Sequence, residues 1–141
     1  MIHSQTKLGI FSCGQYFPKR DRLDFSVADL GIGIRQNILG STGLNLPAAE
    51  AIAWATVGQN TTKRGNIPGG LGLKLLREFI TLNAGRIQIV SDSGYWALES
   101  GEVISKEMPN SFPGTVVSIE IDTVDKRSYR LSSEISEDDI F

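Results

Sequence analysis

The alternation of apolar and polar residues changes period several times along the chain, and each change marks an element. Leu8 to Tyr16 reads as a strand, Pro18-Lys19-Arg20-Asp21 as a turn and Arg22 to Ala28 as a second strand, predicting an antiparallel hairpin. In the second strand Leu23, Phe25 and Val27 fall on one face and Arg22, Asp24 and Ser26 on the other, so Asp29 continues on the core-facing side. Ile34 to Leu39 predicts a short helix closed by Gly40, and Ser41 to Asn45 a loop. Pro47 to Val57 predicts an alanine-rich helix ending at Gly58. Gln59 to Gly70 is polar and glycine-bearing, as expected of a mobile lid. From Leu71 the period returns to 3.6, with Leu71, Leu75, Leu76, Phe79 and Leu82 on one face, Lys74, Arg77, Glu78 and Thr81 toward water, and Gly85 as the stop.

Strand periodicity resumes over Arg86 to Ser91, with a turn at Asp92-Ser93-Gly94. Further strands follow at Tyr95 to Ser100, Val103 to Lys106 and, after Pro113-Gly114, Thr115 to Asp122. In the last of these Val117, Ile119 and Ile121 share a face that also carries Thr115. From Thr123 the composition turns polar and then acidic, so residues 1–122 are expected to form one domain and 123–141 a tail or linker.

A chain of 141 residues has room for one domain with a two-layer core. Its net charge of −2, with Lys and Arg scattered, gives no nucleic-acid surface. Cys13 has no partner for an internal disulfide, and no signal peptide or long apolar run is present. The expected setting is therefore reducing and cytoplasmic, without a membrane segment. His3 is the sole histidine, which excludes a catalytic triad or multi-histidine metal site.

The candidate chemistry lies in two glycine clusters. Gly69, Gly70 and Gly72 feed into a helix whose first N–H groups lack internal partners, the arrangement that seats an anion. Gly31 and Gly33 follow Asp29 and leave space beside a carboxylate that burial would otherwise penalise. Each residue also has a plain reading. Asp29 serves equally as a turn cap, Thr115 as an ordinary strand residue, and Lys63 and Arg64 as solvated charges.

Taken in order, Asp29-Leu-Gly31-Ile-Gly33-Ile34, a threonine-lysine lid, Gly70-Leu-Gly72-Leu73, Asn83-Ala-Gly85-Arg86-Ile-Gln-Ile-Val-Ser91 and Gly114-Thr115-Val-Val-Ser-Ile-Glu-Ile121 resemble the boxes of the GHKL ATPase family. That family comprises the gyrase, chaperone, histidine-kinase and MutL ATP-binding domains, and the resemblance spans residues 3 to 122. It implies that Asp29 accepts a hydrogen bond from the adenine amino group, with Thr115 beside it. Gly31, Gly33 and Ile34 would border base and sugar, and Gly69, Gly70, Leu71, Gly72 and Leu73 the phosphates. Thr62 and Lys63 would reach in from the lid, Lys63 to the terminal phosphate. Pro68 stands where the family often has its first glycine. The Mg²⁺-binding asparagine and nearby acid expected upstream of Asp29 are not found, so the chain is expected to begin just after them, with Mg²⁺ positioning and catalysis left unassigned.

The fold expected on this basis is α+β: a two-layer α/β sandwich of the Bergerat type, a mixed, mostly antiparallel sheet with helices on one face. The expected function is Mg²⁺-dependent binding of ATP or ADP, as a histidine-kinase-like ATPase module of a larger signalling or regulatory protein with an unknown protein partner or phosphoacceptor. A catalytically decayed nucleotide-binding module, or a protein-interaction module, is the alternative.

Overall fold

The computed structural model describes residues 9–57 and 70–124. Among them the chain forms β1 (Ile10–Phe17), β2 (Arg22–Asp29), α1 (Gly33–Thr42), α2 (Ala48–Val57), α3 (Gly70–Asn83), β3 (Arg86–Glu99) and β4 (Glu102–Asp122). A short 3-10 turn over Pro18–Arg20 closes the β1–β2 hairpin, with Asp21 in the left-handed region at φ 51°. Of the expected lid at 59–70, residues 59–69 lie outside the described residues, as does the chain beyond residue 124.

The described architecture is α+β, a four-stranded sheet in the order β1-β2-β4-β3 with three helices. Every neighbouring pair is antiparallel, so the sheet is not mixed as the sequence suggested. β2 and β3, joined through the helices, do run in the same direction. β4 enters between them, and no parallel ladder forms among the described residues.

A straight strand the length of β3 would extend about 45 Å, yet Arg86 Nε and Glu99 Oε2 at its two ends lie 3.2 Å apart. β3 therefore doubles back at Asp92-Ser93-Gly94, the expected turn, where Asp92 adopts φ 53°. Gln88 Nε2 donates to Tyr95 Oη at 2.8 Å across the fold-back. β4 follows both halves: its first part, to Glu107, pairs with the returning half of β3, and Phe112 onward pairs with the first half. Ser111 Oγ, donating to Asp92 Oδ1 at 2.6 Å, ties the passing chain to the tip.

Period-two alternation sorts the sheet into a polar and an apolar face. On the polar face Ser26 and Ser118 share a hydrogen bond at 2.8 Å and Arg86 lies 3.9 Å from Glu120. On the other face Ile87, Ile89 and Val117 meet Trp96 and Leu98 from the fold-back, Ile52 from α2 and Ile80 from α3. Burial of each such large side chain contributes about 1.5–3 kcal/mol. Coverage is uneven, because the helices pack on β3 and β4. Phe25, expected in the core, is 40% exposed on the β1 side, where its ring lies over Gly14.

The helices also depart from expectation in two places. α1 runs through Gly40 and ends at Gly43, whose φ of 79° and N–H bond to Leu39 O form the actual cap. α3 buries Ile80 and partly buries Leu73, Leu76 and Phe79, whereas Leu82 is exposed. The stripe is rotated because Asn83 is tied to β4: its Nδ2 donates to Asp122 O at 3.1 Å and its Oδ1 accepts from Asp122 N at 2.8 Å. Arg77 does not face water alone; its guanidinium lies 5.4 Å from the Trp96 ring centroid and donates to Thr56 Oγ1 at 3.0 Å.

α2 is held by small residues and one distant carboxylate. Ala48, Ala49, Ala51 and Ala55 are buried, and Gly94 comes so close that an added Cβ would stand 2.6 Å from the Ala48 carbonyl carbon. Glu107 Oε1 accepts the Ala49 N–H at 2.7 Å and Glu107 Oε2 accepts from Ser93 Oγ at 2.9 Å. A negative group from β4 thus caps the positive end of α2 and fixes the β3 tip beneath it. Glu107→Ala is expected to lower the unfolding free energy by about 1–2 kcal/mol, and Gly94→Ala by more, as read from urea midpoints; an unchanged midpoint for either would contradict this docking.

Candidate functional site

At the end of the sheet nearest α1, the apolar inner face gives way to one polar row. Register places Val27, Val117 and Ile89 side by side, and two residues further along places Asp29, Thr115 and Ser91. All three members of that row are buried, Asp29 to 2% and Thr115 to 4% relative exposure. A buried polar side chain costs about 1–3 kcal/mol if its hydrogen bonds are not met, so the partners of each atom matter.

Asp29 Oδ1 accepts the Gly31 N–H at 2.9 Å, the turn-cap arrangement of its plain reading. Its other oxygen, Oδ2, has no hydrogen-bond partner among the described residues. One carboxylate oxygen thus holds the chain as it leaves β2. Ser91 Oγ accepts from the Ile34 N–H at 2.9 Å, lies 2.8 Å from Thr115 Oγ1, and donates to Gly114 O at 3.2 Å. The opening turn of α1 is thereby fastened to the same polar row.

Glycines make this closeness possible at two positions. Gly33, at φ 84°, would bring an added Cβ to 3.2 Å from Ser91 Oγ. Gly114, at φ 137°, lies against the Asp29 carbonyl, where a side chain has no room. Both conformations are ones that L side chains rarely adopt. At the rim, Arg35 of α1 lies 3.6 Å from Asp92 Oδ2 and donates to Leu46 O at 3.1 Å, holding the start of α1 to the tip of β3.

Among the residues singled out from sequence, Asp29, Gly31, Gly33, Ile34 and Thr115 are brought together here. Gly70, Leu71, Gly72 and Leu73 form the first turn of α3, so Gly70 and Gly72 belong to the helix and not to a loop before it. At Gly72 an added Cβ would meet nothing within 4 Å, which leaves the backbone there open. Leu73 and Ile34 pack against the same apolar cluster of Ile38, Ala51 and Ala55, so the openings of α1 and α3 share one support. Thr62, Lys63 and Gly69 lie outside the described residues. Ser91 was not singled out, although the alternation Ile87, Ile89, Ser91 places it inward by the same reasoning that marks Asp29.

A separate hollow of about 420 Å³ opens at the far end of the strands, where Arg22 and Arg86 border it with Asp122 and Glu120. Two of its three arginines are engaged with acids: Arg22 Nε is 2.9 Å from Asp24 Oδ1, and Arg86 bridges Glu99 and Glu120. Among the described residues no three His, Cys, Asp or Glu side chains converge as a metal site would require, and no helix is long and apolar enough to cross a membrane.

No protein-family model matches the chain, and no curated protein matches it significantly. The polar row itself yields a direct test. Gly114→Ala is expected to separate β2 from β4 at this end and to cost about 2 kcal/mol or more. Gly33→Ala costs about 1 kcal/mol or more through its φ alone. Thermal or urea unfolding of the two variants checks the order, and a Gly114→Ala protein as stable as wild type would contradict the close approach.

Proposed function

We propose that this chain is an adenine-nucleotide-binding domain with the Bergerat-type fold of the GHKL ATPases, serving as the histidine-kinase-like ATP module of a larger signalling or regulatory protein. The observation that carries the reading is the buried Asp29 carboxylate, with one oxygen committed to Gly31 and the other without a partner among the described residues. An acceptor placed at the bottom of a glycine-lined end of the sheet suits a ligand donor. The C6 amino group of adenine supplies one, where guanine presents a carbonyl that the carboxylate repels.

The first turn of α3 is the companion seat. The N–H groups of a helix's first turn have no partner within the helix, and with the dipole they favour phosphate, while Gly70 and Gly72 carry no side chain to cover them. Thr62 and Lys63, which the resemblance assigns to the phosphates, lie outside the described residues. ATP or ADP is the ligand assigned, and Mg²⁺ is assigned no protein ligand among the described residues. Phosphate transfer or hydrolysis would belong to the larger protein.

The second reading, a protein-interaction module, has one observation in its favour: Ile10, Phe11, Tyr16 and Phe25 are exposed on the β1–β2 part of the sheet. It does not account for the polar row.

Calorimetric titration with ADP and GDP separates the two. ADP is expected to bind at least tenfold more tightly than GDP. Asp29→Asn, which replaces half of the acceptor by a donor, is expected to weaken ADP by about 10- to 100-fold, the value of a hydrogen bond to a charged group. Equal affinity for the two nucleotides would sink the adenine assignment.

A further inference from the structure

Strand β1 lies at one end of the sheet order, so among the described residues one side of its backbone meets β2 and the other meets no strand. Such an edge offers a row of N–H and C=O groups to any second strand, and proteins that keep an edge free place charges, proline or a bulge on it. The first part of β4, which among the described residues pairs only with the returning half of β3, is guarded in this way by Glu102, Lys106, Glu107 and Pro109. β1 is not. Its eight residues, IFSCGQYF, include no charge and no proline, and they pair one to one with β2 without a bulge.

The face beside that edge is apolar and uncovered. Register puts Ile10, Ser12, Gly14 and Tyr16 on the inner face with Leu23, Phe25 and Val27, whereas the helices pack on β3 and β4. Ile10 is 47% exposed, Tyr16 54%, Phe25 40% and, on the opposite face, Phe11 58%. Gly14 has no Cβ to stand against the Phe25 ring, where one would come within 2.9 Å of Cδ2, so the ring lies over β1.

We infer, independently of the nucleotide reading, that this edge is a homodimer interface: β1 pairs antiparallel with β1 of a second copy about a two-fold axis at Cys13, joining two four-stranded sheets into one. An axis normal to the sheet keeps the two inner faces on the same side, so one residue meets its own counterpart and the others pair outward from it. With Cys13 at the axis, Ile10 meets Tyr16 of the second copy on the uncovered face, and the same pair recurs on the other side of the axis. An axis at Gly14 would set Ile10 against Pro18, which lies outside the strand. A second copy brings the same uncharged edge, so neither half has a charge to bury. Three aromatic side chains of about 200 Å² each, exposed to these extents, offer about 300 Å². Ile10 and a backbone edge about 26 Å long bring each copy's share to about 500 Å². The total of about 1,000 Å² reaches the lower bound for a specific interface and lies below the size of permanent ones, which describes a reversible dimer.

Sedimentation equilibrium under reducing conditions, from about 1 to about 200 µM chain, is expected to show monomer and dimer in exchange with a Kd of about 1–100 µM. Tyr16→Lys sets a charge on each side of the axis and is expected to weaken the dimer by about tenfold or more; Tyr16 is exposed, so the fold tolerates the change. Cys13 is an exposed free thiol, and directly opposed Cα atoms lie about 4.5–5.5 Å apart. A short bis-maleimide is therefore expected to join Cys13 to Cys13 of the second copy in wild type, and not in Tyr16→Lys at the same concentration. A wild type that stays monomeric throughout overturns the inference. So does a dimer that Tyr16→Lys leaves unchanged, which places the contact elsewhere, and so does one that the charge weakens but the reagent does not link, which removes the axis at Cys13.

Discussion

The row Asp29–Thr115–Ser91 is the constraint around which this molecule is arranged. Every other row on the inner face of the central strands is apolar, and an apolar row here would pack without hydrogen-bond demands. Instead three polar side chains are buried next to one another, and the chain is shaped to meet their needs. Gly114 brings β4 against the main chain of Asp29, Gly33 lets α1 begin directly above Ser91, and Ile34 supplies the N–H that Ser91 accepts. Remove the row, and neither glycine nor the tight start of α1 has a reason.

The remaining structure keeps that end rigid. Glu107 holds α2 to the tip of β3, and Arg35 holds α1 to the same tip through Asp92. The Asn83 clamp secures α3 at the opposite end of the strands, far from the row. α3 is thus anchored at its C-terminal end, while its first turn shares an apolar support with α1. A site needs side chains fixed to within a fraction of an ångström by their neighbours, and here strands and helix starts provide that support.

Much of this was legible in the sequence because period two is unambiguous in a strand. Leu23, Phe25 and Val27 pointed to Asp29 as an inward carboxylate, and Val117 and Ile119 pointed to Thr115. Ser91 obeyed the same rule but was passed over, since a serine closing a strand is commonplace and its importance arises from contacts with Ile34, Gly114 and Thr115, all distant in sequence. The helices were harder. Seven residues of apolar pattern in α3 permit two neighbouring stripes, and the choice between Leu82 and Ile80 was made by Asn83 gripping Asp122. Gly40 looked like a stop, yet α1 continued because Gly43 offered the left-handed cap. The antiparallel character of the whole sheet depended on β4 entering between β2 and β3, which no local pattern encodes.

The most direct measurement is a crystal structure of the chain soaked with ADP. The account predicts the amino nitrogen of the base within hydrogen-bonding distance, about 2.7–3.2 Å, of Asp29 Oδ2. A nucleotide bound elsewhere, with Asp29 Oδ2 taken by the protein's own main chain, would contradict it.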